Sequence, residues 1–381
     1  MKKFRTCVVG VGFIGAAHIE ALRRLGNVEV VAIADIPNGA AKAEANNVPK
    51  GYDDYKEMLD TEKPDVVHIC TPNASHYEIA MYAMERGINV VCEKPLTTSL
   101  EQAREMAKYA KDHNLVCGVN FNCRWYPQLM QARSMIESGD VGSIYTVHGS
   151  YLQDWLYLDT DYSWRLEPEL SGDSRAFGDI GSHWIDMVES ITGLRAVEVF
   201  ADFGTFHKIR KKPLKPIATY SGMALRPEDY QEVPIDTEDF CAVLFHFDNG
   251  AIGSCVINQV FAGRKNQIVL NVNGSKCTLR WDSEDSNDLW VGRRETYNQV
   301  IPKDPSIMNP MAAAANSYPG GHVEGFPDTF KQNFKAIYTA IEKGDTSKGL
   351  FANFDDGLRE MALCDAVVRS AKEGRWVTIE D

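Results

Sequence analysis

The run Cys7-Val8-Val9-Gly10-Val11-Gly12-Phe13-Ile14-Gly15 constrains this chain more than any other segment. An apolar stretch reads as the end of a buried strand, and Gly10, Gly12 and Gly15 complete a G-x-G-x-x-G turn that opens a helix. The first glycine permits the tight turn, the second lets a pyrophosphate approach the backbone, and the third lets the helix pack close to the strand. Phe13 and Ile14 fall in the first helical turn, where backbone N–H groups and the positive dipole end favour phosphate. A second strand, Val28–Ala34, ends at Asp35, twenty positions after Gly15, where a carboxylate takes the ribose hydroxyls of NAD. The next residues, Ile36, Pro37 and Asn38, bring no cation for a 2′-phosphate, so NAD(H) is expected over NADP(H).

At 381 residues the chain has room for two domains with separate cores. The first alternates strands and helices at the pitch of βαβ units. Near-continuous apolar strands end at Thr71-Pro72-Asn73 and at Glu93-Lys94-Pro95, and a third covers 115–119. Such runs suit a parallel sheet covered on both faces, with ligands at the strands' carboxyl ends. That topology brings Thr71, Asn73, His76, Glu93 and Lys94 to the cofactor. Beyond about residue 122 the texture changes. A helix over 125–138 leads to alternating strands at 144–153, 197–203, 240–247, 251–258, 267–272 and 276–281, some joined by Asp248-Asn249-Gly250 and Asn273-Gly274 turns. Two helices, near 324–343 and 355–373, follow. The expected architecture is α/β: a Rossmann NAD-binding domain over 1–123, then an α+β domain over 124–381 with a largely antiparallel open sheet. The basic, proline-containing stretch 207–234 reads as a long surface loop.

Composition narrows the partners. A net charge of −13 disfavours nucleic acid and anionic membranes, and no apolar run approaches a membrane span. The first strand begins almost at Met1, so no secretory leader is expected. The nine scattered cysteines form no C-x-x-C pair, as expected of buried thiols in a reducing cytoplasm.

The order Gly10–Gly15, Thr71-Pro72-Asn73, Glu93-Lys94-Pro95 and Gly178-Asp179-Ile180-Gly181-Ser182-His183 resembles the glucose–fructose oxidoreductase/inositol dehydrogenase/MocA (Gfo/Idh/MocA) family across essentially the whole chain. The resemblance implies nicotinamide-dependent oxidation of a ring hydroxyl of a sugar or cyclitol, and a homodimer or homotetramer. Oxidising a secondary alcohol needs a base for the hydroxyl proton and a cation or donor for the forming alkoxide. Asp179 and His183 lie four apart where a helix over 182–191 begins; if it starts early enough, they face the same way. The resemblance makes His183 the base, a role its ordinary titration range suits, with Lys94 assisting and standing as the alternative base. No third ligand accompanies Asp179 and His183, so no metal is expected.

Trp155, Trp164, Arg165 and His322 are candidate sugar contacts, since indoles stack on pyranose faces and polar side chains bond hydroxyls. Arg124 matches a family position near the cleft. The Trp164-Arg165 segment and the Gly-Gly-His stretch resemble branches acting on glucosides and anhydrosugars, which implies oxidation at C3. Arg175 replaces a small residue of many relatives and is expected to alter the pocket lining. Inositol oxidation, glycoside cleavage with internally recycled NAD, and a non-catalytic NAD sensor are the competing readings; a sensor has no need of Lys94, Asp179 and His183 together.

Overall fold

The computed structural model describes residues 2–215, 225–346 and 349–380. The chain opens with β1 (Phe4–Val9), α1 (Phe13–Arg23), β2 (Val28–Ala34), α2 (Gly39–Ala45), β3 (Lys50–Tyr52), α3 (Tyr55–Glu62) and β4 (Val66–Ile69). There follow α4 (His76–Met84), β5 (Asn89–Cys92), α5 (Leu100–Asp112), β6 (Cys117–Val119), α6 (Pro127–Glu137), β7 (Ile144–Leu152), α7 (Pro168–Ser171) and α8 (Ser182–Thr192). Strands β8 (Ala196–Gly204), β9 (Ile209–Pro213), β10 (Tyr230–Pro234), β11 (Phe240–Phe247), β12 (Ile252–Asn258), β13 (Gln267–Gly274), β14 (Thr278–Asp282), β15 (Asp288–Gly292) and β16 (Gln299–Pro302) come next. The chain closes with α9 (Pro310–Ala314), α10 (Phe326–Lys343), β17 (Ala352–Asn353), α11 (Phe354–Glu373) and β18 (Val377–Thr378).

The first sheet has the order β17-β6-β5-β4-β1-β2-β3. Its pairs from β6 to β3 are all parallel, and β17 joins antiparallel to β6. The strand order reverses direction between β1 and β4, the point at which doubly wound sheets bind nucleotides. The glycine turn after β1 and the Thr71–Asn73 turn after β4 both emerge there. The second sheet has nine strands in the order β16-β15-β14-β13-β7-β12-β11-β8-β18, antiparallel except for β7 beside β12.

The chain divides into two compact units, Met1–Trp125 with Phe326–Met361, and Tyr126–Gly325 with Ala362–Asp381. This differs from the single crossing expected at 123/124. The reason lies on α10, whose Phe330, Phe334 and Tyr338 are buried against the first unit's own aromatic groups: Phe334 stands 4.7 Å from the His18 ring, and Tyr338 stands 5.2 Å from Phe4.

The stretch 207–234 is not simply a loop. β9 and β10 pair as an antiparallel ribbon from Ile209↔Pro234 to Pro213↔Tyr230. Arg210 anchors it, donating from Nη1 to Leu158 O (2.9 Å) and from Nη2 to Asp239 (2.9 Å). The remainder of that reading, at 216–224, lies outside the described residues. Among the described residues no helix is long and apolar enough to cross a membrane.

Candidate active site

In the first unit the three glycines are required for different reasons. A Cβ on Gly10 would lie 2.8 Å from Cys70 C, at a φ of +84°, and one on Gly15 would lie 2.0 Å from Gly10 O. Both are demanded by the fold itself. A Cβ on Gly12 would meet nothing within 4 Å. Gly12 is therefore surplus to packing, and an open backbone at the N-terminus of α1 is what a pyrophosphate needs. Asp35 stands beside it, accepting from Val11 N at 2.6 Å. These residues fit a dinucleotide. Gly15→Ala is expected to destabilise the fold severely, while Gly12→Ala leaves the melting temperature near that of the parent but weakens NAD. Thermal melts with NAD titration calorimetry check both.

One cation escaped the sequence reading. Lys42, on α2, places Nζ 2.6 Å from Asp35 Oδ1. With the carboxylate removed, Lys42 is free to meet a 2′-phosphate. Asp35→Ser is expected to raise the use of NADP relative to NAD, and adding Lys42→Ala is expected to cancel the gain. An equal gain in the single and double variants would clear Lys42 of that role.

The strand-end turns are tied together from inside. His76 is fully buried, with ring nitrogens 3.0 Å from Pro95 O and 2.9 Å from Thr71 O. Its ring links the Thr71 turn to the Glu93-Lys94-Pro95 turn. Glu93 sits in the second of these turns, 8% exposed. Its buried carboxylate accepts from His18 (2.9 Å), Asn120 Nδ2 (2.6 Å) and Lys94 N (3.3 Å). Burial works against the charged form, but the His18 bond and charge, the Lys94 charge and the Asn120 bond outweigh it and hold Glu93 at about 2.

Burial pushes His76 below the ordinary histidine value of 6.5, and burial plus the neighbouring His18 push His68 well below it. The unfolded chain therefore binds more protons than the folded one once pH falls below 6.5. Stability is expected to decline from there downward, by up to ~1.4 kcal/mol per pH unit for each ring. Glu93 adds a further loss between 4.5 and about 2. A melting temperature that stays level from about pH 7 to about pH 5 would contradict this.

In the second unit, Asp179 sits on a π-helical turn, Phe177–Gly181, that runs straight into α8 and so joins Asp179 and His183 in one helical run. The turn is held by Glu238, which accepts from Ser174 Oγ (2.8 Å), Arg175 N (3.0 Å) and Phe177 N (3.0 Å). Its Asp179 carboxylate receives Arg165 Nε at 3.0 Å on one oxygen and Gln259 Nε2 at 2.9 Å on the other. The Arg165 guanidinium lies 4.6 Å from the Trp164 ring and 5.7 Å from the Trp155 ring. Trp155 Nε1 donates to Gln153 (2.7 Å), and Gln153 Nε2 and Tyr151 OH both donate to Asn266 Oδ1 (2.6 and 2.9 Å). The Tyr151 ring stands 6.5 Å from that of His183. Next to His183, Trp184 is wholly buried and donates to Val269 O at 3.0 Å, which fixes α8 on the sheet.

Five sequence candidates thus meet in one cluster: Trp155, Trp164, Arg165, Asp179 and His183. Gln153, Gln259, Asn266 and Tyr151 were missed because they come from distant strand ends. Arg124 is buried within the first unit, donating to Leu350 O at 3.3 Å with Asp356 at 3.9 Å. His322 lies on an exposed loop, bonded to Gly320 O (3.2 Å). Arg175 does not line a pocket. It is 1% exposed, and its guanidinium pairs with Asp239. Burial pushes Cys7 and Cys117 up to about 12, which rules against thiolate nucleophiles there. Among the described residues no group of three His, Cys, Asp or Glu could hold a metal.

Comparison with known proteins identifies the family. Residues 4–121 match the family model described as an oxidoreductase family with an NAD-binding Rossmann fold, and residues 129–280 match the GFO/IDH/MocA C-terminal domain. Levoglucosan dehydrogenase of Pseudarthrobacter phenanthrenivorans is 29% identical over 400 residues, covering 100% of this chain and 99% of its own. D-glucoside 3-dehydrogenase of Escherichia coli is 32% identical over 202 residues, which span 51% of this chain and 55% of that protein. A solved levoglucosan dehydrogenase in complex with NADH and L-sorbose superposes with a TM-score of 0.89 at 27% identity, covering all of both chains.

Proposed function

The chain belongs to the Gfo/Idh/MocA family of NAD-binding oxidoreductases, is an enzyme of the sugar dehydrogenase type, and on that premise we propose that it oxidises the C3 hydroxyl of a pyranose glycoside or anhydrosugar. The observation that carries this reading is the Trp155–Arg165–Trp164 stack joined through Asp179 to the helix bearing His183. Indole edges and faces suit the C–H surface of a pyranose, and a carboxylate fixed by two donors keeps lone pairs for sugar hydroxyls. The names of two relatives, one acting on levoglucosan and one at position 3 of glucosides, point the same way.

Bound NAD accepts the carbinol hydrogen with its electron pair. The protein's own residues do the rest. Gly10, Gly12, Gly15 and Asp35 hold the nucleotide. His183 takes the hydroxyl proton at a ring nitrogen, and the Lys94 ammonium offsets charge developing on the oxygen. Asp179, fixed by Arg165 and Gln259, orients the sugar.

The test is NADH absorbance with purified enzyme, NAD and a panel of levoglucosan, glucose, methyl and aryl glucosides, and inositols. Fastest NADH formation with a pyranoside supports the reading, and fastest formation with an inositol overturns it.

A further inference from the structure

A chain of buried polar side chains runs through the first unit and ends at the turn carrying Lys94. Thr6 Oγ1 lies 2.7 Å from Tyr338 OH, which lies 3.1 Å from His68 Nε2. His68 Nδ1 lies 2.9 Å from His18 Nδ1, and His18 Nε2 lies 2.9 Å from Glu93 Oε1. Thr6, His18 and His68 are 0% exposed and Tyr338 is 2%. Glu93 Oε2 then receives Lys94 N at 3.3 Å.

The donor on Glu93 follows by elimination. An ionised carboxylate only accepts, so His18 Nε2 carries the proton of its bond to Glu93 whether the ring holds one proton or two. The contact between His18 Nδ1 and His68 Nδ1 holds the ring from its other side.

Each element packed on this chain contributes to it or stays apolar. α1 brings His18, β4 brings His68, the ends of β5 and β6 bring Glu93, Lys94 and Asn120, and α10 brings Phe330, Phe334 and Tyr338. Such a network stabilises no better than apolar residues of the same shape. What it adds is a fixed donor on the carboxylate that holds the Lys94 backbone. We propose that His18, held from behind by His68, is a positioning residue for Lys94, acting through Glu93. The proposal rests on the reading of Lys94 as a group acting on the substrate oxygen.

The test uses full-length His18→Leu, His18→Gln, Lys94→Ala and the His18→Leu/Lys94→Ala double variant. All are assayed with NAD and the pyranoside the parent turns over fastest. His18→Leu is expected to lower kcat about tenfold or more with KM for NAD little changed, because only the chemical step depends on Lys94. His18→Gln, whose amide keeps a donor for Glu93, is expected to recover to within about threefold of the parent. On the Lys94→Ala background, His18→Leu is expected to change the residual rate by less than about twofold, since the two act as one unit. If His18→Leu shows no cooperative melt, Glu93→Gln replaces it in the same cycle. Equal losses in the Leu and Gln variants, or full multiplication of the two losses in the double variant, overturn the positioning role alone. A Lys94→Ala enzyme with parental kcat overturns the reading of Lys94 itself, and the positioning role with it.

Discussion

Replacing His183 by Ala is expected to lower kcat for sugar oxidation by about a hundred- to ten-thousand-fold, while the affinity for NAD stays near that of the parent. His183 is buried in the second unit, on a helix whose neighbouring residue Trp184 is pinned to the sheet, so its ring is held by rigid structure. On the proposed role, its removal takes away the acceptor for the hydroxyl proton and nothing that the nucleotide needs. Lys94→Ala is expected to act similarly, through lost stabilisation of charge on the oxygen. Steady-state kinetics with NAD calorimetry separate the two effects. A collapse of NAD binding in both variants would show that neither residue has the assigned role.

Asp239→Ala is expected to lower stability by ~3–5 kcal/mol, because it strands two buried guanidinium groups. The Asp239 carboxylate is 0% exposed and pairs with Arg175 and, at 2.9 Å, with Arg210 Nη2, both of them fully buried. It also accepts from Phe206 N (2.7 Å) and His207 N (3.0 Å). Burial opposes its ionisation, but the Arg175 charge and hydrogen bond outweigh that and hold it below the usual carboxylate range. Burial and the charge of Arg175 push Arg210 below its ordinary value, and Asp239, with a smaller contribution from Asp161, offsets part of that. Without it, the β9–β10 ribbon loses its anchor. Arg175, four residues before Asp179, loses its ion-pair partner. A loss of this size lowers the melting temperature by about 6–20 °C in a unit of this size. A melt within about 2 °C of the parent would mean that water reaches the two cations.

The parts of this molecule that sequence exposed were those in which one short segment carries the whole signal. The glycine turn, the strand after it and Asp35 sit within 35 residues, and their spacing alone dictates the nucleotide fold. The six alternating strands of the second sheet were legible for the same reason, with ends shifted by a residue or two. What stayed hidden depends on pairing across the chain. Lys42 lies seven positions beyond Asp35, and α2 turns it back onto the carboxylate. Neither strand of the ribbon β9–β10 alternates apolar with polar residues in the sequence, so Lys211, Lys212 and Pro213 read as loop until Arg210 finds Asp239. His18 and His68 lie fifty positions apart, and only the fold brings their Nδ1 atoms to 2.9 Å. The π-helical turn under Asp179 has no period of its own in the sequence, and it forms where Glu238 captures the backbone of Arg175 and Phe177.

The most direct test of the central claim is to supply levoglucosan deuterated at C3, with NAD, and to weigh the NADH produced. The account predicts NADH one mass unit heavier and a sugar product that is the 3-ketone. NADH of unlabelled mass formed from that substrate would mean that another carbon is oxidised, and would contradict the assignment of C3.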